Sequence, residues 1–387
     1  MTTPLSARDI LERLVAFPTV SRDSNLELID WVEGYLADLG VQGHRVWNEA
    51  RTKAGLYAHI GPDVTGGVVL SGHTDVVPVD GQDWSTDPWT VSERGGRLYG
   101  RGTCDMKGFL ALALAAVPDA RAGRLERPLQ LAFSYDEELG CQAVCPMIEE
   151  MTRTLPRAAA VIVGEPSMMK VVSGHKGGTG YQVHVRGHEV HSSMMHRGVN
   201  AIMEAARLIE WANEQNAAGV AAKPGVLAAA FEPPWTTVHV GTIRGGTAGN
   251  ITARDCCFEI EFRIVPGDDI ADWERAFESR VAEVEAGMQK IHSDTRIVLE
   301  KFYALPALRP EPDGAAEALA RRVSGDNAAH VVSYATEGGQ FQLRGYSTVI
   351  CGPGDIAQAH QPDEFLSLEQ FAAGGRFVAG LVNSLRA

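Results

Sequence analysis

Nowhere in its 387 residues does the chain carry the roughly 18–20 consecutive apolar residues of a membrane-spanning helix, which argues against a helical membrane protein. Positive charge is also scarce. With 35 Lys and Arg against 49 Asp and Glu, the net charge of −14 disfavours nonspecific nucleic-acid binding and a polybasic membrane patch. The six cysteines (Cys104, Cys141, Cys145, Cys256, Cys257, Cys351) form neither a CxxC pair nor a zinc-knuckle spacing, and a chain of this size needs no disulfide framework. Reduced thiols are the expectation. No GxGxxG turn follows a strand-like run and no GKS or GKT phosphate loop occurs, so a nucleotide-dependent α/β enzyme is disfavoured. The opening "MTTPLSARDILERLVAFP" interleaves charges with apolar residues at helical spacing instead of forming the apolar core of a secretory leader, and the expected location is cytoplasmic.

Two textures alternate along the chain. Ser6 can cap a first helix that buries Ile10, Leu11, Leu14 and Val15, and Asn25 a second that buries Leu28, Ile29, Val32, Leu36 and Leu39. Short apolar runs follow, "GVVLSG" (67–72), "LQLAFS" (129–134), "AAVIVG" (159–164) and "STVICG" (347–352), separated by helical stretches such as 106–117. Strands apolar on both faces and alternating with helices predict an α/β domain with a mostly parallel, helix-covered sheet. Between them, "YQVHVRG" (181–187), "TVHVGTIRG" (237–245), "CCFEIEFRIV" (257–266) and "TRIVLEKF" (295–302) alternate apolar with polar, as half-exposed antiparallel strands do. Helical stretches at about 199–215 and 269–290 complete a ferredoxin-like β-α-β-β-α-β order, and "AAGVAAKPGVLAAA" (217–230) reads as a loop. The expected organisation is a discontinuous domain, 1–177 and 304–387, with an α+β domain, 178–303, inserted into it.

The chemistry-bearing residues follow the apolar strands. "GHTD" brings His73 and Asp75, "YDEE" brings Glu137 and Glu138, "GEP" brings Glu165, and "GPGDIAQAH" brings His360. Asp105 stands in the glycine-rich "GRGTCDMKG" (100–108) just before a helix. Each has a plainer reading as a turn or cap residue. Their joint placement beyond the carboxyl ends of strands, where open parallel sheets bind ligands, points to one cleft. Carboxylates so close together repel unless a cation lies among them, and imidazole plus carboxylate without thiolate suits Zn²⁺, Co²⁺ or Mn²⁺.

"SGHTDVVP", "GRGTCDMKG", "SYDEELGC" and "VGEPS", in this order, resemble the successive motifs of the dinuclear metallohydrolases of peptidase family M20. That family includes acetylornithine deacetylase, succinyl-diaminopimelate desuccinylase, aminoacylases and glutamate-releasing carboxypeptidases. "GHKG", "HSSMMHRGVNAI", "GGTAGNITARDC", "TEGGQFQ" and "CGPGDIAQAHQPDEF" look most like the acetylornithine deacetylase branch. The resemblance implies two Zn²⁺ per subunit, replaceable by Co²⁺. His73, Asp105 and Glu165 would hold one, and Asp105, Glu138 and His360 the other, with Asp105 as the bridge. Asp75 would accept the second ring N–H of His73, and Glu137 would be the general base of amide hydrolysis. His191, delivered by the partner subunit of a homodimer, and Asn250 match the family's oxyanion donors, so the inserted domain would serve as lid and dimerisation domain.

The expected substrate is a small N-acyl amino acid, N2-acetyl-L-ornithine in arginine synthesis, with neither nucleic acid nor membrane as partner. Aminoacylase, dipeptidase and desuccinylase activities remain open, as does a catalytically silent binding relative, although no ligand position is lost. Arg263 and Lys176 are candidates for the substrate carboxylate, and Glu337 for a substrate ammonium, each with a surface or loop role as the alternative. Met194 and Met195 stand where relatives carry Asp-Pro, and Ala253 where they carry Pro. These departures bear on specificity rather than reaction type.

Overall fold

The computed structural model describes residues 4–141 and 143–386. Contacts divide the chain into two units, 1–174 with 310–331 and 336–387, and 175–309 with 332–335. The second unit takes in 304–309 because the strand Arg296–Leu305 stays paired to Gly178 through its last residue. It also takes in 332–335, which the sequence pattern places in the first.

The first unit is built on an eight-stranded sheet. Its strand order is Gly43–Trp47, Ala54–Ile60, Leu129–Ser134, Val68–His73, Ala160–Pro166, Thr348–Gly352, Val172–His175 and His330–Val332. The four strands from Leu129–Ser134 to Thr348–Gly352 run parallel. Outside them the sheet turns antiparallel, so it is mixed rather than parallel throughout. The connection at 48–53 is too short for a crossover and forces its strands into a hairpin. Every residue of Val68–His73, Leu129–Ser134 and Ala160–Pro166 is buried. Because successive side chains point to opposite faces, both faces must be covered.

Helix Ala7–Val15 starts with a full capping box between Ser6 and Asp9 and buries Ile10, Leu11, Leu14 and Val15. Asn25 does not cap the helix Leu26–Asp38 with its side chain. Its amide instead donates to the Ala54 carbonyl and Thr74 Oγ1 and accepts from the Ala54 N–H, joining the helix start to the sheet. Helix Lys107–Ala115 is buried from Lys107 to Leu114 and packs its Phe109 ring over Gly164. A Cβ at Gly164 would lie 2.0 Å from that ring, and one at Gly352 would lie 2.0 Å from the Gly164 carbonyl oxygen. Glycine is required where the strand carrying Glu165 meets both neighbours.

The second unit has a four-stranded antiparallel sheet, in the order Thr237–Gly245, Asp255–Ile264, Gly177–Arg186 and Arg296–Leu305. Helices Ala201–Ala221 and Ile270–Gln289 give the chain order β-α-β-β-α-β. Burial alternates along Asp255–Ile264, and Phe258, Phe262, Phe277 and Trp211 fill the core beneath it. The first helix runs six residues past the expected end at 215, because alanine propensity carries it through Gly219 until Pro224 approaches. All six cysteines are free, and no described helix is long and apolar enough to cross a membrane.

Gly164→Ala should lower the unfolding free energy by about 1–3 kcal/mol through overpacking against Phe109. An unchanged urea midpoint would show that the Phe109 contact is not tight.

Candidate metal centre

The ends of the central strands of the first unit converge. His73 is the last residue of Val68–His73, and Glu165 is the penultimate residue of Ala160–Pro166. Glu137 and Glu138 open a short 3₁₀ turn, Glu137–Leu139, entered through Asp136 at φ 55° and left through Gly140 at φ 105°. His73 Nε2 lies 3.1 Å from Asp105 Oδ1 and 3.5 Å from Glu165 Oε1. His360 Nε2 lies 3.3 Å from Asp105 Oδ2 and 3.1 Å from Glu138. Two sets of side chains, His73 with Glu137 and Glu165, and His73 with Asp105 and Glu138, offer ligand atoms within 4.8 Å of one another. Glu137, singled out from the sequence as a base, is thus inside the cluster.

Asp75 does something other than expected. The close partner of His73 Nδ1 is the Asp75 main-chain carbonyl at 2.9 Å, while the nearer carboxylate oxygen is 3.5 Å away. The carboxylate accepts the backbone N–H groups of Glu137 at 3.1 Å and Glu138 at 3.4 Å, and the Ser21 hydroxyl at 2.7 Å. One residue therefore fixes the imidazole through its backbone and the glutamate turn through its side chain. Cys141 Sγ donates to Glu137 Oε1 at 3.0 Å, and Lys53 Nζ to Asp136 at 2.6 Å.

Sequence reasoning missed Glu364 and Arg101. The fully buried Glu364 carboxylate accepts the backbone N–H groups of Gly102, Cys104 and Asp105 at 3.1, 2.9 and 3.0 Å, together with the Arg101 guanidinium at 2.7 Å. It ties the Asp105 turn to the segment that carries His360. The signal was present in "GRGTCD" and "HQPDEF", where an unassigned arginine and two unassigned acids stand close to ligand candidates.

The electrostatics are those of a site short of positive charge. Burial pushes the Glu137 carboxyl up to about 8, and Glu138 and Asp105 add to the push while His73 opposes it. Burial, then Asp105, raises Glu165 well above the usual range. Burial would depress His73, but the bond to Asp105 and the nearby Asp75, Glu165 and Glu137 carboxylates outweigh it and raise it. Bonds to Asp105 and Glu138 raise His360 to about 10. Glu165 Oε1 is buried without a hydrogen-bond partner among the described residues while facing His73, and an all-oxygen-and-nitrogen donor set surrounds it. The residues fit a pair of divalent metal ions.

The remaining candidates lie in other settings. In the second unit His191 bridges to Ile251, and Ser192 N–H donates to the Asn250 carbonyl at 2.9 Å, so exposed His191 and Asn250 are neighbours. Lys176 is buried. Its ammonium donates to the carbonyls of Pro233 at 2.7 Å and Trp235 at 3.2 Å, and burial brings it down to about 8, so it is not a free receptor for a carboxylate. Arg263 bonds Glu261 through Nε, on the same face of its strand. Glu337, in the first unit, does not present an open carboxylate for an ammonium: it is 1% exposed and takes the hydroxyls of Ser71 and Ser134. Met194 and Met195 are exposed, and Ala253 is buried.

A model of peptidase family M20/M25/M40 matches residues 69–384. An acetylornithine deacetylase from Myxococcus xanthus is 34% identical over 367 residues, spanning 94% of this chain and 93% of its own. Among solved structures, an M20 family metallo-carboxypeptidase from Sulfolobus solfataricus superposes with a TM-score of 0.78 at 19% identity, over 98% of this chain and 99% of its own. A dinuclear metal binding peptidase of the M20 family from Bacillus subtilis gives 0.64 at 14%, over 97% and 96%.

Glu364→Ala should destabilise the protein by about 3–5 kcal/mol, since it leaves Arg101 buried and unpaired. Adding Arg101→Met should cost little more. Additive losses in a denaturant double-mutant cycle would separate the two residues. A second expectation concerns pH. Glu137 rises from 4.5 to about 8 and His360 from 6.5 to about 10, so the folded metal-free chain holds these protons more tightly than the unfolded one. Their stabilising contributions are whole below 4.5 and 6.5 respectively, and are lost as pH rises through about 8 and about 10. The Tm of chelator-treated protein should fall as pH climbs from 6.5 to 10, and added divalent metal should flatten the fall. A flat profile without metal would contradict the proton-filled site.

Proposed function

Because the chain belongs to peptidase family M20/M25/M40 and is a metal-dependent amide hydrolase of that family, we propose that it removes the acetyl group from an N-acetyl amino acid. N2-acetyl-L-ornithine is the leading substrate, giving ornithine and acetate in cytoplasmic arginine synthesis. The observation that carries this reading is the convergence of His73, Asp105, Glu137, Glu138, Glu165 and His360, with Glu165 Oε1 left unsatisfied. The 34% identity to the Myxococcus xanthus acetylornithine deacetylase supports the choice of substrate.

His73, Asp105 and Glu165 would hold one Zn²⁺, and Asp105, Glu138 and His360 the second, with Co²⁺ able to substitute. Such a pair supplies an acidified water and a polarised amide carbonyl. Glu137 takes the proton of the attacking water and delivers it to the leaving nitrogen. Asp75 keeps it in place by holding the turn's N–H groups, and the Cys141 thiol orients one of its oxygens. His191 and Asn250 supply donors to the oxyanion, His191 coming from the second subunit of a homodimer. Exposed Ile243 on the edge strand Thr237–Gly245, with exposed Ile202 and Met203 on the helix packed against it, supports pairing with a second copy. Arg263 receives the substrate α-carboxylate through the guanidinium nitrogens that Glu261 leaves open.

A second reading, an aminoacylase acting on neutral N-acetyl amino acids, draws on Glu337. With both of its oxygens engaged by serine hydroxyls, selectivity for an ornithine ammonium loses its sequence-based candidate.

Chelator-stripped protein reloaded with Zn²⁺ or Co²⁺ should hydrolyse N2-acetyl-L-ornithine at least tenfold better than N-acetyl-L-methionine, N-succinyl-diaminopimelate or a dipeptide, about 1.4 kcal/mol of discrimination. Glu137→Gln should lose about 10²-fold or more in kcat. Preference for N-acetyl-L-methionine selects the second reading, and a fully active Glu137→Gln would remove that residue from the chemistry.

A further inference from the structure

Glu337 is a buried carboxylate with no lysine or arginine paired to it among the described residues. Arg101 accompanies Glu364, whereas Glu337 makes no salt bridge among the described residues. Two serine hydroxyls hold it, Ser71 Oγ on Oε1 at 2.5 Å and Ser134 Oγ on Oε2 at 2.7 Å. Burying a carboxyl group on two neutral donors costs free energy that an apolar side chain would not, so stability alone does not account for it.

The two serines lie on adjacent parallel strands. Ser71 pairs with Ala132 and His73 with Ser134, so the carboxylate reaches diagonally across the ladder. Ser71 and His73, two residues apart, share a face of the sheet. Ser134 is the last residue of its strand and stands three before Glu137. One carboxylate thereby spans the two strand ends that deliver the imidazole and the glutamate turn.

We propose that Glu337 is a positioning residue that sets the spacing between these strand ends, and so the geometry of the metal ligands, without touching substrate. This rests on the metallohydrolase reading of the cluster. Nothing in its position depends on the identity of the substrate side chain.

Three variants, Glu337→Ala, Ser71→Ala and Ser134→Ala, would be compared for Zn²⁺ affinity, by competition with a chromophoric chelator, and for kcat and KM on N2-acetyl-L-ornithine and N-acetyl-L-methionine. Loss of a group that orients metal ligands should weaken Zn²⁺ binding about tenfold or more. Glu337→Ala should also lower kcat by the same factor on both substrates with KM nearly unchanged. Glu337→Gln, which keeps the shape and can bond both serines, should restore most of each loss. The serine variants delete a single oxygen and carry the test if Glu337→Ala fails to fold. Unchanged Zn²⁺ affinity in both serine variants overturns the proposal. A rise in KM for N2-acetyl-L-ornithine alone overturns it in favour of contact with the substrate ammonium. Should the wild type hydrolyse no member of the panel, the functional reading falls while the Zn²⁺ affinities still decide this one.

Discussion

Four largely buried carboxylates crowd around one buried and one half-exposed imidazole, and such a group is tolerable only with positive charge in its midst. Much of the first unit is arranged around that constraint. Parallel strands end together and point their last residues at one place. Glycines at 164 and 352 let those ends approach closely. Two further buried side chains, Asp75 and Glu364, are spent on backbone N–H groups of the turns that carry the ligand candidates.

Most of the ligand candidates were legible because they follow apolar strands, and strand periodicity together with the open-sheet rule locates the strand ends without coordinates; Asp105 stood out instead by its glycine-rich turn before a helix. The β-α-β-β-α-β order of the second unit was legible for a similar reason, since alternation along Asp255–Ile264 records one buried and one open face. The antiparallel flanks of the main sheet were not. Ala54–Ile60 has little in composition to distinguish it from its parallel neighbour, Gly43–Trp47 is too polar to read as a sheet strand, and only the short connection between them reveals the hairpin.

Side-chain employment was harder to read than side-chain location. Asp75 was placed correctly beside His73, yet its carbonyl rather than its carboxylate meets the ring. Glu337 and Lys176 looked like free charges because their partners are serine hydroxyls and backbone carbonyls far away in sequence, which leave no charge pattern. Glu364 and Arg101 were overlooked because the pair closes a gap of more than 250 residues in sequence.

Glu137 and Glu138 are the same chemical group on adjacent residues, set in different surroundings. The corner at Asp136 sits in a left-handed conformation tethered by Lys53, and Asp75 grips both following N–H groups. One side chain is thereby committed towards Glu165 and the other towards His360. The asymmetry between two identical acids is written in the main chain of the turn that carries them.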